Sequence, residues 1–167
     1  QYDQLLLNGN EAISLGAIHA GLSFFIGYPI SPATSILVWM QKYLIGKGKF
    51  VYQASSEIEA ITALLGAGYS GVKAMTSTAG PGFSLMSEGL GMGWIAEIPL
   101  VVVDVQRGGP ATGLPTKTEQ SDLLQAMYGR NGECPCVVLA TSRPSDCFDM
   151  AYEASRIALE HMMPVIL

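Results

Sequence analysis

Glu57, Arg107 and Ser31 are the residues of this chain whose type and setting suit them to chemistry. Ser31 lies in Gly27-Tyr28-Pro29-Ile30-Ser31-Pro32, which follows the apolar Ser23-Phe24-Phe25-Ile26 and precedes apolar residues at helical spacing, Ile36, Leu37, Met40 and Leu44. Pro29 and Pro32 fix their own φ and push the residues before them out of α geometry, so this loop is rigid. Ser31 stands at or just before a helix start, where a hydroxyl caps the helix or meets an anion; an ordinary capped turn accounts for the same residues. Glu57 follows the capping pair Ser55-Ser56 and shares a helical face with Ile61, Leu64 and Gly68, whereas Glu59 falls with Thr62, Ala63 and Gly66 on a more polar side. A carboxylate at Glu57 either steadies the helix dipole or, on the buried stripe, serves as a proton donor and acceptor. Arg107 follows the apolar Pro99-Leu100-Val101-Val102-Val103-Asp104-Val105 and opens a long loop, 106–118. A guanidinium there grips a carboxylate bidentately, or it pairs with Asp104 or Glu97.

Short apolar runs at 23–26, 50–52, 72–76, 100–105, 136–140 and 164–167 alternate with helical patterns at 11–20, 32–44, 57–69, 83–95, 119–128 and 145–161. Nearly continuous apolar strands alternating with helices predict an α/β fold, a mostly parallel sheet with helices on both faces. Ligands of such sheets sit at the carboxyl ends of the strands, which directs attention to the loops 27–32, 53–56, 77–82 and 106–118. In Ser77-Thr78-Ala79-Gly80-Pro81-Gly82 the glycines let backbone approach a ligand closely. The 106–118 loop exceeds the usual length of about two to six residues and reads as a lid or an interface. Gly66-Ala67-Gly68-Tyr69-Ser70-Gly71 matches the dinucleotide motif literally, but it ends a helix and precedes a strand, so no helix start faces a pyrophosphate. Close helix–sheet packing and a helix stop explain these glycines better.

The 167 residues suffice for one domain, 1–167, and 49% are hydrophobic against 14% charged, below the usual quarter. Such a surface predicts cover by other domains or partner chains. The chain begins at Gln1 and stops at Met163-Pro164-Val165-Ile166-Leu167, which reads as mid-strand, so it is expected to be a piece of a longer polypeptide. A net charge of −5 without a basic stripe argues against nucleic acid as a partner, and no apolar run approaches a membrane span. Cys134, Cys136 and Cys147 lack a metal-ligand spacing and are odd in number, which suggests a reduced, cytoplasmic setting and no metal bound by this chain. His19 and His161 lie within helical patterns without partners at triad spacing and read as ordinary helix residues.

Taken in order, Asn8-Gly9-Asn10-Glu11-Ala12, Gly27-Tyr28-Pro29-Ile30-Ser31-Pro32, Ser56-Glu57-Ile58-Glu59-Ala60-Ile61 and Thr78-Ala79-Gly80-Pro81-Gly82 resemble one family. Glu97-Ile98-Pro99-Leu100-Val101, Val105-Gln106-Arg107-Gly108-Gly109-Pro110 and Gly113-Leu114-Pro115-Thr116-Lys117-Thr118-Glu119-Gln120 complete the set. The family is that of the 2-oxoacid:ferredoxin oxidoreductases, and the likeness is to the pyrimidine-binding domain of their α subunit. Asn8-Gly9-Asn10-Glu11 and Ser145-Asp146-Cys147-Phe148 resemble most the members in which a γ domain precedes α in one chain, of the 2-oxoglutarate:ferredoxin oxidoreductase type.

The resemblance implies a thiamine-diphosphate enzyme that converts a 2-oxoacid and coenzyme A to acyl-CoA, CO2 and reduced ferredoxin. 2-Oxoglutarate is the preferred substrate and pyruvate the next. Glu57 matches the glutamate that hydrogen-bonds N1′ of the aminopyrimidine, Arg107 the arginine that holds the substrate carboxylate, and Ser31 a position beside the 2-oxoacid where the family usually has Thr. Tyr28, Pro29, Ile30, Thr78 and Gly80 are implied as cofactor-binding neighbours. Members often carry two acidic residues just ahead of this helix; here Ala54-Ser55-Ser56 leaves Glu57 as the first. The chain has no Asp/Asn cluster after a Gly-rich turn. Resemblance places the diphosphate site, its Mg2+ and a [4Fe-4S] cluster on a partner β subunit. Two competing readings are a non-catalytic assembly module of the same fold and another thiamine-diphosphate enzyme, such as a transketolase-like or decarboxylase domain. The Arg107 loop speaks against the latter.

Overall fold

A computed structural model describes residues 5–167, so the first four positions of the expected domain lie outside the described residues. Six strands, β1 (Phe24–Gly27), β2 (Phe50–Gln53), β3 (Ala74–Thr78), β4 (Leu100–Asp104), β5 (Val137–Val138) and β6 (Pro164–Ile166), form one all-parallel sheet in the order β2-β1-β3-β4-β6-β5. Between them run α1 (Gly9–His19), α2 (Thr34–Tyr43), α3 (Glu57–Tyr69), α4 (Gly80–Ile95), α5 (Leu123–Tyr128) and α6 (Pro144–His161). Alternate side chains of a strand point to opposite faces, and β4 shows it. Val101 and Val103 join a core with Ala17, Ile36, Met40 and Ala154 from α1, α2 and α6. Leu100 and Val102 join a second core with Leu64, Phe83, Leu90 and Ala126 from α3, α4 and α5. The expected parallel sheet with helices on both faces is the fold observed.

The chain passes from β1 to β2 through α2 on one face, then returns across β1 to β3 through α3 on the other. This reversal opens a crevice at the carboxyl ends of β1 and β3, the usual ligand position in open α/β sheets. The loops 27–32, 53–56, 77–82 and 106–118 all leave carboxyl ends of the four neighbouring strands.

Several boundaries depart from expectation. Gly80 through Gly82 belong to the first turn of α4 rather than to a loop, because Pro81 in that turn already has helical φ and needs no N–H partner. α5 starts at Leu123, not 119, since Glu119 turns back to accept a hydrogen bond from the Gly109 amide at 3.0 Å. α2 starts at Thr34, and its cap is Ala33 without a side-chain bond, so Ser31 does not cap the helix. β5 has two residues and leaves Cys136 outside, and β2 is an exposed edge strand with Phe50 63% accessible. Within the glycine run Gly68 packs as expected, since a Cβ there would stand 2.6 Å from Ile98 Cγ2; Gly71 turns the chain at φ +83°, and Gly66 has nothing within 4 Å.

Candidate active site

The start of α3 separates its two glutamates. The Ser56 hydroxyl caps the helix by accepting from the Glu59 amide at 3.1 Å. Glu59 in turn accepts from the Ser55 amide and hydroxyl, each at 2.5 Å, and from the Tyr52 hydroxyl at 3.2 Å. The Ser55 bonds hold the Glu59 carboxyl below the usual carboxylate range, and Glu59 pushes the Tyr52 hydroxyl up. Glu59 therefore fastens the turn that opens the helix. Glu57 faces inward, 9% exposed, on the stripe that carries Ala60, Ile61, Leu64 and Gly68.

Glycines in α4 make room for it. A Cβ on Gly82 would stand 2.9 Å from Glu57 Oε1 and closer still to Thr78 Oγ1. At Gly89, one turn-pair further on, a Cβ would meet Ile61 Cγ2 at 2.9 Å, so α3 and α4 approach over two contacts. Glu57, the buried Thr78 at the end of β3, and the Gly80–Gly82 turn thus converge at the switch crevice.

Across the crevice, Arg107 is 7% exposed and its fork closes on two carbonyls. Nη1 donates to Ser31 O at 2.8 Å and Nη2 to Thr112 O at 3.0 Å. The alternative ion pairs are not made: Glu97 lies before β4, at the opposite end from Arg107, and Asp104 takes no guanidinium bond. Ser31 itself is exposed, with Tyr28 exposed and Pro29 and Ile30 half-buried beside it. Arg107, Gly80 and Pro81 line one cleft of about 490 Å³. The 106–118 loop is pinned further by the bridge between Gly108 and Leu114.

Unmet polar demand gathers here. Five buried side-chain polar atoms of the described residues lack a protein partner, and four of them belong to Asp104, Gln106, Arg107 and Asp122. Burial, and then the facing Asp122 carboxylate, push the Asp104 carboxyl up to about 8. Sequence reasoning noticed Asp104 only as a partner for Arg107 and missed Asp122 and the approach of Gly82 to Glu57. A lone acid ending an apolar strand, and an Asp just ahead of Leu123-Leu124, were the available signals. Elsewhere, Cys134 and Cys136 bring their Sγ atoms to 3.9 Å, and among the described residues no group of three or more His, Cys, Asp or Glu side chains gathers to hold a metal.

The family model described as "Pyruvate flavodoxin/ferredoxin oxidoreductase, thiamine diP-bdg" matches residues 15–167. The chain belongs to this family. Among curated relatives, the 2-oxoglutarate oxidoreductase subunit KorA of Mycobacterium tuberculosis is 54% identical over 96% of this chain and 25% of its own length. The 2-oxoglutarate synthase subunit KorA of Methanothermobacter marburgensis is 46% identical over 99% of this chain and 44% of its own. A solved 2-oxoglutarate:ferredoxin oxidoreductase from Magnetococcus marinus, with 2-oxoglutarate, coenzyme A and succinyl-CoA bound, superposes with a TM-score of 0.95 at 48% identity. The match covers 97% of this chain and 28% of that one. This member of the thiamine-diphosphate-binding oxidoreductase family therefore spans less than half the length of the relatives it matches. No helix of the described residues is long and apolar enough to cross a membrane.

The residues present fit the cofactor that the family binds. Glu57 supplies one buried carboxylate at a helix start, and the missing side chain of Gly82 lets α4 pack close without displacing it.

Proposed function

We propose that residues 1–167 form the pyrimidine-binding domain of the α subunit of a 2-oxoacid:ferredoxin oxidoreductase, within a longer polypeptide. The enzyme acts with a partner β subunit and converts 2-oxoglutarate, with pyruvate as second choice, and CoA to acyl-CoA, CO2 and reduced ferredoxin. The observation that carries this reading is the inward-facing Glu57 meeting Thr78 and Gly82 at the switch crevice, next to the cleft lined by Arg107.

When bound, thiamine diphosphate supplies the nucleophilic carbon that attacks the 2-keto group and the electron sink for decarboxylation. Glu57 holds a proton at N1′ of the aminopyrimidine, and its burial excludes water that would compete for that proton. Tyr28, Pro29, Ile30, Thr78 and Gly80 are assigned to the cofactor on the strength of the family resemblance. Arg107, steadied by Ser31 O and Thr112 O, orients the 2-oxoacid carboxylate through the N–H groups those carbonyls leave over, and the Ser31 hydroxyl, exposed and free of capping duty, hydrogen-bonds beside it. Mg2+, the diphosphate contacts and the [4Fe-4S] cluster are assigned to the β subunit. A γ domain and ferredoxin complete the partners, and the assembly is cytoplasmic. Identity of 54% and 46% to subunits named for 2-oxoglutarate supports that substrate over pyruvate.

The test is the assembled enzyme, assayed for CoA-dependent reduction of ferredoxin with each 2-oxoacid. A higher kcat/KM for 2-oxoglutarate than for pyruvate is expected. Failure to turn over any 2-oxoacid with thiamine diphosphate and Mg2+ present would overturn the reading.

A further inference from the structure

Asp104 ends β4, and Asp122 immediately precedes α5; the segment between them carries Arg107. Asp122 occupies the cap position of α5 yet makes no cap bond, and it is turned inward, 8% exposed. Gly80 makes space for it, since a Cβ there would stand 3.3 Å from Asp122 Oδ2 and 3.5 Å from Oδ1. Asp104 Oδ1 and Asp122 Oδ2 are fully buried, and neither receives a hydrogen bond from any N–H or hydroxyl of the protein. Two ionised carboxylates facing each other out of water repel, and each would forfeit its hydrogen bonds. A single proton between them removes both costs, because the acid then donates to the carboxylate.

We propose that Asp104 and Asp122 share one proton as a clasp that closes the base of the 105–121 segment, and that this clasp positions Arg107 for the 2-oxoacid carboxylate. The second half rests on the function proposed above; the clasp itself does not. Asp104 is the member that carries the proton, in keeping with its raised titration near 8. Other charged or titratable groups around the pair do not supply a donor. Glu119 lines both adjoining cavities but is exposed and bound to the Gly109 amide. Arg107 commits Nη1 and Nη2 to carbonyls, and its buried Nε–H bonds neither carboxylate. Cys147 of α6 lines the cavity on the far side of Asp104, and the first turn of α4 offers only Gly80, Pro81 and Ser84. β3 meets Asp104 through Thr78, and the Asp104 amide bonds Leu167 O.

Asp104 and Asp122 are positioning residues, and their signature is a pH dependence confined to one segment. Hydrogen exchange of amides 105–121 in the assembled enzyme reads it. With the proton held only when the clasp is closed, protection relative to intrinsic rates should fall by up to about tenfold per pH unit between pH 6 and 8, then level off. Asp104→Asn, whose amide donates to Asp122 at every pH, should show flat protection, and Asp104→Ala should lose protection already at pH 6. Wild-type protection that is flat from pH 6 to 9, or an Asn variant that keeps the wild-type pH dependence, overturns the clasp. Should Asp104→Ala fail to fold, the Asn comparison still decides. In turnover assays, KM for the 2-oxoacid should rise above about pH 8 while kcat changes little, and Asp104→Asn should remove that rise. An exchange signature without any such KM change would leave the clasp standing and overturn its role in positioning Arg107. Absence of 2-oxoacid turnover in wild type at every pH would instead overturn the proposed function.

Discussion

Glu57→Gln keeps the shape of a buried side chain while removing the capacity proposed for it, to hold a proton at N1′. Turnover of the assembled enzyme should fall at least about a hundredfold, the scale of general acid–base catalysis, while cofactor binding and melting temperature stay close to wild type. Glu59→Gln should do the reverse, because Glu59 ties down the Ser55 turn: activity is kept and the melting temperature drops. Normal turnover in the Glu57 variant would sink the assignment. Arg107→Lys loses the planar fork, and kcat/KM for the 2-oxoacid should fall roughly ten- to a hundredfold. Exchange of the C2 proton of bound thiamine diphosphate, measured without substrate, should stay near the wild-type rate; its loss would mean that Arg107 serves the cofactor or the fold. Asp104 makes a pH prediction with a definite sign. Its carboxyl titrates near 8 when folded, against about 3.9 in an unfolded chain, so folding takes up a proton. The stability it contributes is complete below about pH 4 and is lost as pH rises towards 8, at no more than about 1.4 kcal/mol per pH unit. Subtracting the Asp104→Asn unfolding profile from wild type isolates this fall; a difference that is constant between pH 5 and 8 would contradict it. Inward placement of Glu57 was legible from its helical face alone. The Arg107 acceptors were not, because Ser31 lies 76 positions away and offers a backbone carbonyl, which no side-chain pattern records.

The pairing of α3 with α4 depends on where side chains are missing. Gly82→Ala would drive a methyl into Glu57 and Thr78, so it should cost about 1–3 kcal/mol and reduce turnover as Glu57 is displaced. Gly66→Ala, on the exposed side of α3 with nothing within 4 Å, should instead stabilise by about 0.4–1 kcal/mol by restricting the unfolded chain. Chemical denaturation of the two variants decides, and a Gly66→Ala variant that loses activity would reopen the discarded nucleotide reading of that glycine run. All twelve elements were legible as apolar runs or helical periods, and α3 even at both ends. Boundaries failed where local chemistry overrode periodicity. Pro81 carried α4 back to Gly80, and the Glu119 bond to Gly109 shortened α5.

At the scale of the whole molecule, the low charge has a visible counterpart. Leu123, Leu124, Met127 and Tyr128 of α5 are exposed together, as are Phe50 and Tyr52 on the β2 edge, which fits a domain covered within an assembly. Sequence composition foretold that such faces exist but not where, because their position depends on which strands end at the sheet edges. Calorimetry on this chain alone should detect weak thiamine diphosphate binding or none, since the proposed diphosphate and Mg2+ contacts belong to the partner; micromolar, Mg2+-dependent binding would sink the shared site. The strand order carries a further consequence, in the timing of synthesis. β6 comes last along the chain yet lies between β4 and β5. Until residues 164–166 leave the ribosome, β4 therefore presents one unpaired edge of Leu100, Val101 and Val102, and β5 has no neighbour at all. The strand that carries Asp104 and leads into Arg107 is thus the last of the site's supports to be secured, and during translation its free edge stays open to pairing with another nascent chain.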